Sequence, residues 1–505
     1  MINELNIQQL YVDSKDYKAS FQKNETVTME FVVLTPKVER QFSKILRYFL
    51  MRLDIIFLKD PIFTILKELI TNASKANAKR LYFSKHKLDI NDKDDYIKGM
   101  DHFKEEALLK NSDIFNEMIN TEYRVKVVFH NANIPKISVI NNNMIIQEEL
   151  YKIDARLKKA YKYNDITEAF EDVLDDSEGA GLGLIMAMMI FKNSGFNKDD
   201  FVIANNDGST EFSISIGSLP PKEELGNKIS EEITSAIDIL PSFREHIAKI
   251  SALCDTHDVS IAELAELIKM DPSLTTSLLK RANSAGYYTS QRVNSIEDAI
   301  KNIGLQGIKV LTTAAGIDDI VEQKFSEFKS IWAESYKKAY YAQRLAIFYK
   351  LNKLADTAFL AGLLSKIGKI LLLSVNKTVV ENISKISGLK DISNTDVIEE
   401  ISIGISHSTL GGIITRKWQF DESLSTAIEY HTKPHIAPEE YIVLTYIVYL
   451  ACVLAENDDL RGSSNIDDEV YDFFKIKNDK SIEAVHSLIK TEYEKKIAAD
   501  GEIAV

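Results

Sequence analysis

The hydrophobic rhythm of the chain changes once. In the first part, short runs rich in Val, Ile, Phe and Tyr have strand character: Val27 to Leu34, Arg80 to Phe83, Tyr123 to Phe129, Lys136 to Ile140 and Glu211 to Ile216. Helical stretches separate them, which predicts an α/β sandwich with helices covering one face of a sheet. At Gly217 to Gly226, GSLPPKEELG, paired prolines, glycines and charges mark a linker. Beyond it the period becomes helical. Ile261, Leu264, Ala265 and Ile268 share one face, and Asp271-Pro272 supplies an N-cap with proline in the first turn. Ser295 with Asp298 opens another helix through Ile296, Ala299, Ile300 and Ile303, so the second part reads as all-α. His86 to Asn111, dense in Lys and Asp, reads as a solvated insertion between strands. Tyr441 to Ala455 is shorter than the roughly 18 apolar residues of a membrane span and predicts a buried core helix.

A length of 505 residues exceeds one ordinary core and agrees with more than one domain. The formal net charge of −14 disfavours a nucleic-acid partner held by phosphate neutralisation. Cys254 and Cys452 are the only cysteines, which leaves no disulfide framework or cysteine-rich zinc site and fits a reducing compartment. The start, MINELNIQQLYVDSKD, has neither the basic residues nor the apolar run of a signal peptide. The expectation is a cytoplasmic protein with neither membrane nor nucleic acid as partner.

Two motifs in the first part suit phosphoryl chemistry. Glu68 and Asn72 stand four residues apart on a helix and share a face. A carboxylate there can orient water, and an amide oxygen can hold Mg²⁺ on a triphosphate. Glu178-Gly179-Ala180-Gly181-Leu182-Gly183-Leu184 precedes an apolar helix, and such glycines let backbone N–H groups approach phosphate. With the closing run Gly208-Ser209-Thr210-Glu211-Phe212, this order resembles the GHKL family of gyrases, heat-shock chaperones, mismatch-repair ATPases and histidine kinases. The resemblance implies a Bergerat-type domain at residues 25–217 after an N-terminal extension, 1–24. It also implies ATP with Mg²⁺ as ligand: Glu68 as the base if hydrolysis occurs, and Asn72 as the magnesium ligand. Lys75, Asn141, Gly179, Gly181 and Gly183 complete the implied nucleotide site, and Tyr151 to Ser177 would form its lid. One box departs from the family pattern: Asn141 replaces an aspartate that accepts from the adenine amino group, and Asn143 and Ile145 replace glycines. No histidine precedes His86, so the phosphoacceptor helix of a histidine kinase is missing upstream.

In the second part, Leu240-Pro241, Asp271-Pro272-Ser273-Leu274, Arg281 to Tyr287 (RANSAGY), Ser295 to Ile300 and Ile303-Gly304-Leu305 follow in an order that resembles the HDOD family. These helical output domains of bacterial signalling proteins are related to HD and HD-GYP metal phosphohydrolases. The resemblance implies a linker at 218–228 and an HDOD domain with a helical extension at 229–505. Position by position, Glu334 stands where those hydrolases place a first histidine, Ser365-Lys366 replace the His-Asp pair, and Cys452 lies near the final aspartate. A lysine ammonium brings like charge and no lone pair to a metal, so no tightly bound metal is expected. His407 and His431 remain, and read as helix-capping or hydrogen-bonded core histidines.

The combination predicts a bacterial cytoplasmic signalling or scaffold protein, in which a degenerate nucleotide-binding module regulates a non-catalytic HDOD module that binds other signalling proteins. The alternatives are an active ATPase or protein kinase using Glu68 and Asn72, and a metal-dependent phosphohydrolase in the helical half.

Overall fold

A computed structural model describes residues 11–12, 16–103, 114–163, 169, 182–206, 208–216, 231–239, 245–256, 259–269, 274–275, 278, 282, 295–325, 329–390, 394–456, 466–476 and 478–500. Two compact units are present, one built mainly from residues before Ile229 and the other mainly from Ile229 onward.

The first unit contains a six-stranded antiparallel sheet. Its strands are β1 (Tyr11–Val12), β2 (Val27–Phe31), β3 (Val125–His130), β4 (Lys136–Asn141), β5 (Phe201–Asn206) and β6 (Ser209–Ser215), in the order β1-β2-β3-β4-β6-β5. Val27, Met29 and Phe31 alternate inward from β2 as the period of two requires. Three helices of this unit matter most for the site: α1 (Pro36–Arg52), α2 (Lys59–Lys85) and an apolar helix, Leu182–Asn193. Phe42, Phe49 and Phe129 pack ring to ring, with centroids 5.5–6.3 Å apart, where α1 meets β3.

Two expectations fail here. Arg80 to Phe83 is the end of α2, because Leu69, Ala73, Asn77, Ala78 and Tyr82 extend one buried helical stripe through it. Four apolar-leaning residues cannot distinguish strand from helix by themselves. The charged stretch after His86 likewise holds α3 (Lys93–Phe103), whose Tyr96 and Phe103 are buried in a cluster with Tyr82 and Phe83. Its charges are solvated, but its aromatic side is core. Strand β5, with an uneven burial pattern, carried no expectation at all.

The second unit is helical. Ile261–Lys269 buries Leu264, Ala265 and Ile268, as its period predicts, and Ser295 Oγ accepts from Asp298 N at 3.1 Å to start Ile296–Phe325. Gly304 breaks that helix with a φ of 80°. The Asp271-Pro272 and Arg281 to Tyr287 signals fall mainly outside the described residues. The core of the unit is formed by α4 (Lys329–Phe348), α5 (Ala355–Leu364), α6 (Ile367–Lys390), α7 (Asp396–Ile403), α8 (His407–Lys417), α9 (Glu422–Glu429) and α10 (Ile442–Glu456). Helix α10 is the expected buried helix, with eleven core residues from Leu444 to Ala455. The stretch from Phe359 to Leu371 is two helices, with Ser365 and Lys366 in the turn between α5 and α6. Asn352–Ser387 is long and apolar enough to cross a membrane, yet 78% of its most apolar window is buried within the protein.

Candidate functional site

Each unit gathers its own polar cluster. In the first, α2 carries Glu68, Asn72 and Lys75 on successive turns; Asn72 Nδ2 donates to Glu68 Oε1 at 3.2 Å. The apolar helix Leu182–Asn193 meets them at its start: a Cβ on Gly183 would lie 1.9 Å from Glu68 Oε1, so the glycine is what lets the carboxylate sit there. Lys75 is exposed one turn further on. Gly179 and Gly181 lie outside the described residues, as does most of Tyr151 to Ser177; Tyr151 to Ala160 belong to a helix, Gln147–Ala160.

Asn141 closes β4 opposite Thr210 of β6. It is 5% exposed, and its Nδ2 donates to Ala73 O of α2 at 3.4 Å, while Oδ1 is buried without a hydrogen-bond partner among the described residues. The residues that replace the family's glycines are tied down. Asn143 Nδ2 donates to Asn77 Oδ1 at 2.7 Å, and Thr210 Oγ1 donates to Asn143 O at 2.7 Å while accepting from Ile145 N at 2.8 Å. Glu149, on the helix that follows, pairs with Lys79 and, at 3.1 Å, with Arg80. Burial opposes charge on Glu149, but Lys79 and Arg80 prevail and hold its carboxyl below the usual range.

The cluster in the second unit is sealed. Asp396 and Glu399, on one face of α7, and His407, at the start of α8, are all buried, with one ligand-type atom from each within 4.8 Å of the others. Glu399 Oε2 accepts from His407 N and from Nδ1 of the same residue, each at 2.7 Å. Asp396 Oδ1 lies 3.1 Å from that ring nitrogen but receives no hydrogen bond among the described residues. Asp396 Oδ2 accepts from Ser408 and Thr432 and lies 3.6 Å from Lys433 Nζ. Burial raises the Asp396 carboxyl, yet Lys433 and His407 outweigh it and hold it well below the usual range.

On the opposite edge of the His407 ring, Lys366 Nζ stands 3.3 Å from Nε2 and 3.2 Å from Glu456 Oε1. Lys338 of α4 reaches the same carboxylate. Burial disfavours the Lys366 ammonium, but Glu456 overrides it and leaves the group more basic than an ordinary lysine. Burial wins at Lys338, which is less basic, and pushes the Cys452 thiol up. The approach of α6 to α8 needs Gly368, where a Cβ would lie 2.0 Å from His407 O. His431 Nδ1 pairs with Ile428 O at 2.7 Å, its Nε2 has no partner among the described residues, and burial pushes its pKa down to about 3.

Of the residues carried over from the hydrolases, Ser365, Lys366 and Cys452 belong to this neighbourhood, whereas Glu334 is exposed. Lys338, one helical turn on, is the buried α4 side chain that reaches the cluster. Asp396, Glu399 and Glu456 were missed, although Asp396 and Glu399 at a three-residue spacing before Ser406-His407 signal a shared face. The His407 ring is engaged by a carboxylate at one nitrogen and an ammonium at the other.

Residues 240–434 match the HDOD domain family, so the helical unit carries an HDOD domain. An uncharacterized protein of Treponema pallidum (strain Nichols) is 26% identical over 493 residues, covering 96% of this chain and 95% of its own. An HDOD domain protein with unknown function from Geobacter sulfurreducens is 21% identical with a TM-score of 0.46, over 56% of this chain and 100% of its own. A candidate signal transduction protein from Marinobacter aquaeolei VT8 is 16% identical with a TM-score of 0.42, over 61% of this chain and 77% of its own.

Proposed function

We propose that this is a cytoplasmic bacterial signalling protein in which a degenerate GHKL-type unit, residues 25–217, binds adenine nucleotide with Mg²⁺ and thereby controls a non-catalytic HDOD unit, residues 229–505, that binds other signalling proteins. The observation that carries the reading is the convergence of Glu68, Asn72 and Gly183 from two separate stretches of chain. A carboxylate, an amide and a glycine at a helix start are the groups a magnesium-bound triphosphate requires. The unpartnered Asn141 Oδ1 adds a buried acceptor suited to an amino group. In the helical unit, the Lys366 ammonium at a degenerate position supports a binding role over hydrolysis.

Asn72 is exposed and Glu68 half-buried, so both are within reach of a bound triphosphate, which keeps an active ATPase or protein kinase as the second reading. Titration of the full chain with ATP·Mg²⁺, followed by hydrogen exchange, tests the proposal. Saturable binding with altered protection in both units is expected, and unchanged protection in both contradicts the ligand-controlled version. Equal ATP turnover by the wild type and Glu68→Ala removes the second reading.

A further inference from the structure

We propose that the helical unit has a small-molecule site of its own, a cleft of about 310 Å³ walled by Trp418 and Phe420 that takes a flat, uncharged heterocycle carrying a lactam N–H and C=O on its edge. It gives the HDOD unit an input separate from the nucleotide of the first unit, and neither reading depends on the other.

The cleft lies where two hydrophobic clusters of the unit meet. Helix Ile296–Phe325 serves both: Ile308 and Leu311 pack with Ile250 and Cys254, whereas Val310 and Ala314 pack with Leu360, Trp418 and Leu424. Small-molecule pockets favour such boundaries between packed bodies. Val310, Leu360 and Leu424 line the apolar part, and Trp418 and Phe420, with ring centroids 6.4 Å apart and planes at 83°, supply aromatic walls suited to a flat ring. The turn that carries them closes α8, with Phe420 N donating to Thr415 O at 3.1 Å and Gln419 N donating to Arg416 O at 2.9 Å. It sets Gln419 at a φ of 60°, where glycine is favoured, yet this residue brings an exposed amide to the cleft.

Polar groups define the edge and the charge of the ligand. Gln306 and Gln419 each offer an amide donor and an amide acceptor, the complement of a lactam. Thr313, also in the lining, is fully buried, and its Oγ1 has no partner among the described residues, so a ligand that reaches it satisfies a hydroxyl already removed from water. The charged lining residues are Asp255, Lys309 and Asp421. Lys309 Nζ donates to both Asp255 oxygens, at 3.0 and 2.8 Å, and Asp421 Oδ1 caps α9 by accepting from Leu424 N at 2.9 Å. Among the described lining residues no cation is left over for a phosphate or carboxylate, which selects an uncharged ligand.

The test follows tryptophan emission in full-length Trp332→Phe, where Trp418 is the sole reporter, during titration with hypoxanthine, a neutral bicyclic lactam. A saturable change is expected, and it persists in saturating ATP·Mg²⁺. Ala248→Trp, which fills the cleft, and Gln306→Ala, which removes one amide, should each weaken binding by about tenfold or more, as should replacing hypoxanthine by 1,3,7-trimethylxanthine, which is flat but has no N–H. No saturable change, or equal affinity in Ala248→Trp, overturns the proposal and leaves the nucleotide reading standing. Displacement by ATP·Mg²⁺ puts the lactam in the first unit and likewise overturns it, and equal binding of the trimethylxanthine overturns recognition of the lactam edge. Should Ala248→Trp not fold, Gln306→Ala, at an exposed position, decides by itself, and unchanged affinity there overturns the proposal. Calorimetry on the wild-type background gives the same comparisons if Trp332→Phe is unstable.

Discussion

The two units hold their polar groups in opposite ways. Around Glu68 and Asn72 the first unit leaves side chains in reach of solvent, and Asn141 keeps a buried acceptor unused. Around His407 the second unit supplies its own counter-charges, with Lys433 set against the buried Asp396, and with Lys366 and Lys338 against Glu456, an exposed carboxylate at the rim of the cluster. Unmet buried acceptors occur in both, Asn141 Oδ1 in the first and Asp396 Oδ1 and His431 Nε2 in the second, so access makes the difference, and the open cluster is the one a ligand can reach. A sealed cluster whose cations are covalently part of the chain has little to gain, and its polar groups act mainly on stability and on the uniqueness of the packing.

Truncation should separate the two most sharply. His407→Ala removes the ring N–H from a fully buried Glu399 and should cost about 3–5 kcal/mol, measured by denaturant unfolding, because a buried charge loses part of its pairing. Glu68→Ala, at a half-buried position, should stay within about 1 kcal/mol of the wild type. Comparable losses at both positions would erase the contrast.

Acid should act on the sealed cluster. His431 is kept neutral by burial, with its pKa pushed down to about 3, while the unfolded chain takes up that proton near 6.5. The unfolded state therefore binds more protons in this window, and stability falls as pH drops from about 6.5 toward 3, by up to about 1.4 kcal/mol per pH unit. Asp396 and Glu456, both well below their usual values, add to the loss below about pH 4, where the unfolded carboxylates protonate first. Melting temperatures across this range should flatten in His431→Phe between about pH 6.5 and 4.5, and an unchanged slope would show that His431 is not the group responsible.

The smallest structural effect belongs to Asn141. Replacing an unsatisfied buried acceptor by Leu should change stability by less than about 1 kcal/mol in thermal unfolding, since one weak 3.4 Å hydrogen bond to Ala73 is lost and a desolvation penalty is relieved. A loss of several kcal/mol would make Asn141 a structural residue like those around His407.

Local signals named the helices well. The Ile261 to Ile268 period and the Ser295 cap each depend on a single stretch of chain, and both appear in the structure. Pairs fixed by a turn of helix, such as Glu68 with Asn72, were equally legible. Arg80 to Phe83 misled because strand-type residues there extend a buried helical stripe that began twenty residues earlier, at Ile62. The sealed cluster was half legible. Lys366 stood out as a wrong residue for a metal, but its partners Glu456 and Lys338 lie 90 and 28 positions away and become neighbours only through packing of α4, α6 and α10. The carry-over to Glu334 missed by one turn, since α4 turns Lys338 inward and leaves Glu334 outside.

The central claim, that of the two polar clusters the first unit's is the receptive one, is tested most directly by isothermal titration of the full chain with ATP·Mg²⁺, set against Asn141→Leu at matched thermal stability. Saturable binding near one nucleotide per chain in the wild type, lost in Asn141→Leu, is the predicted result. Absence of saturable heat in the wild type, or equal binding by both proteins, would contradict it.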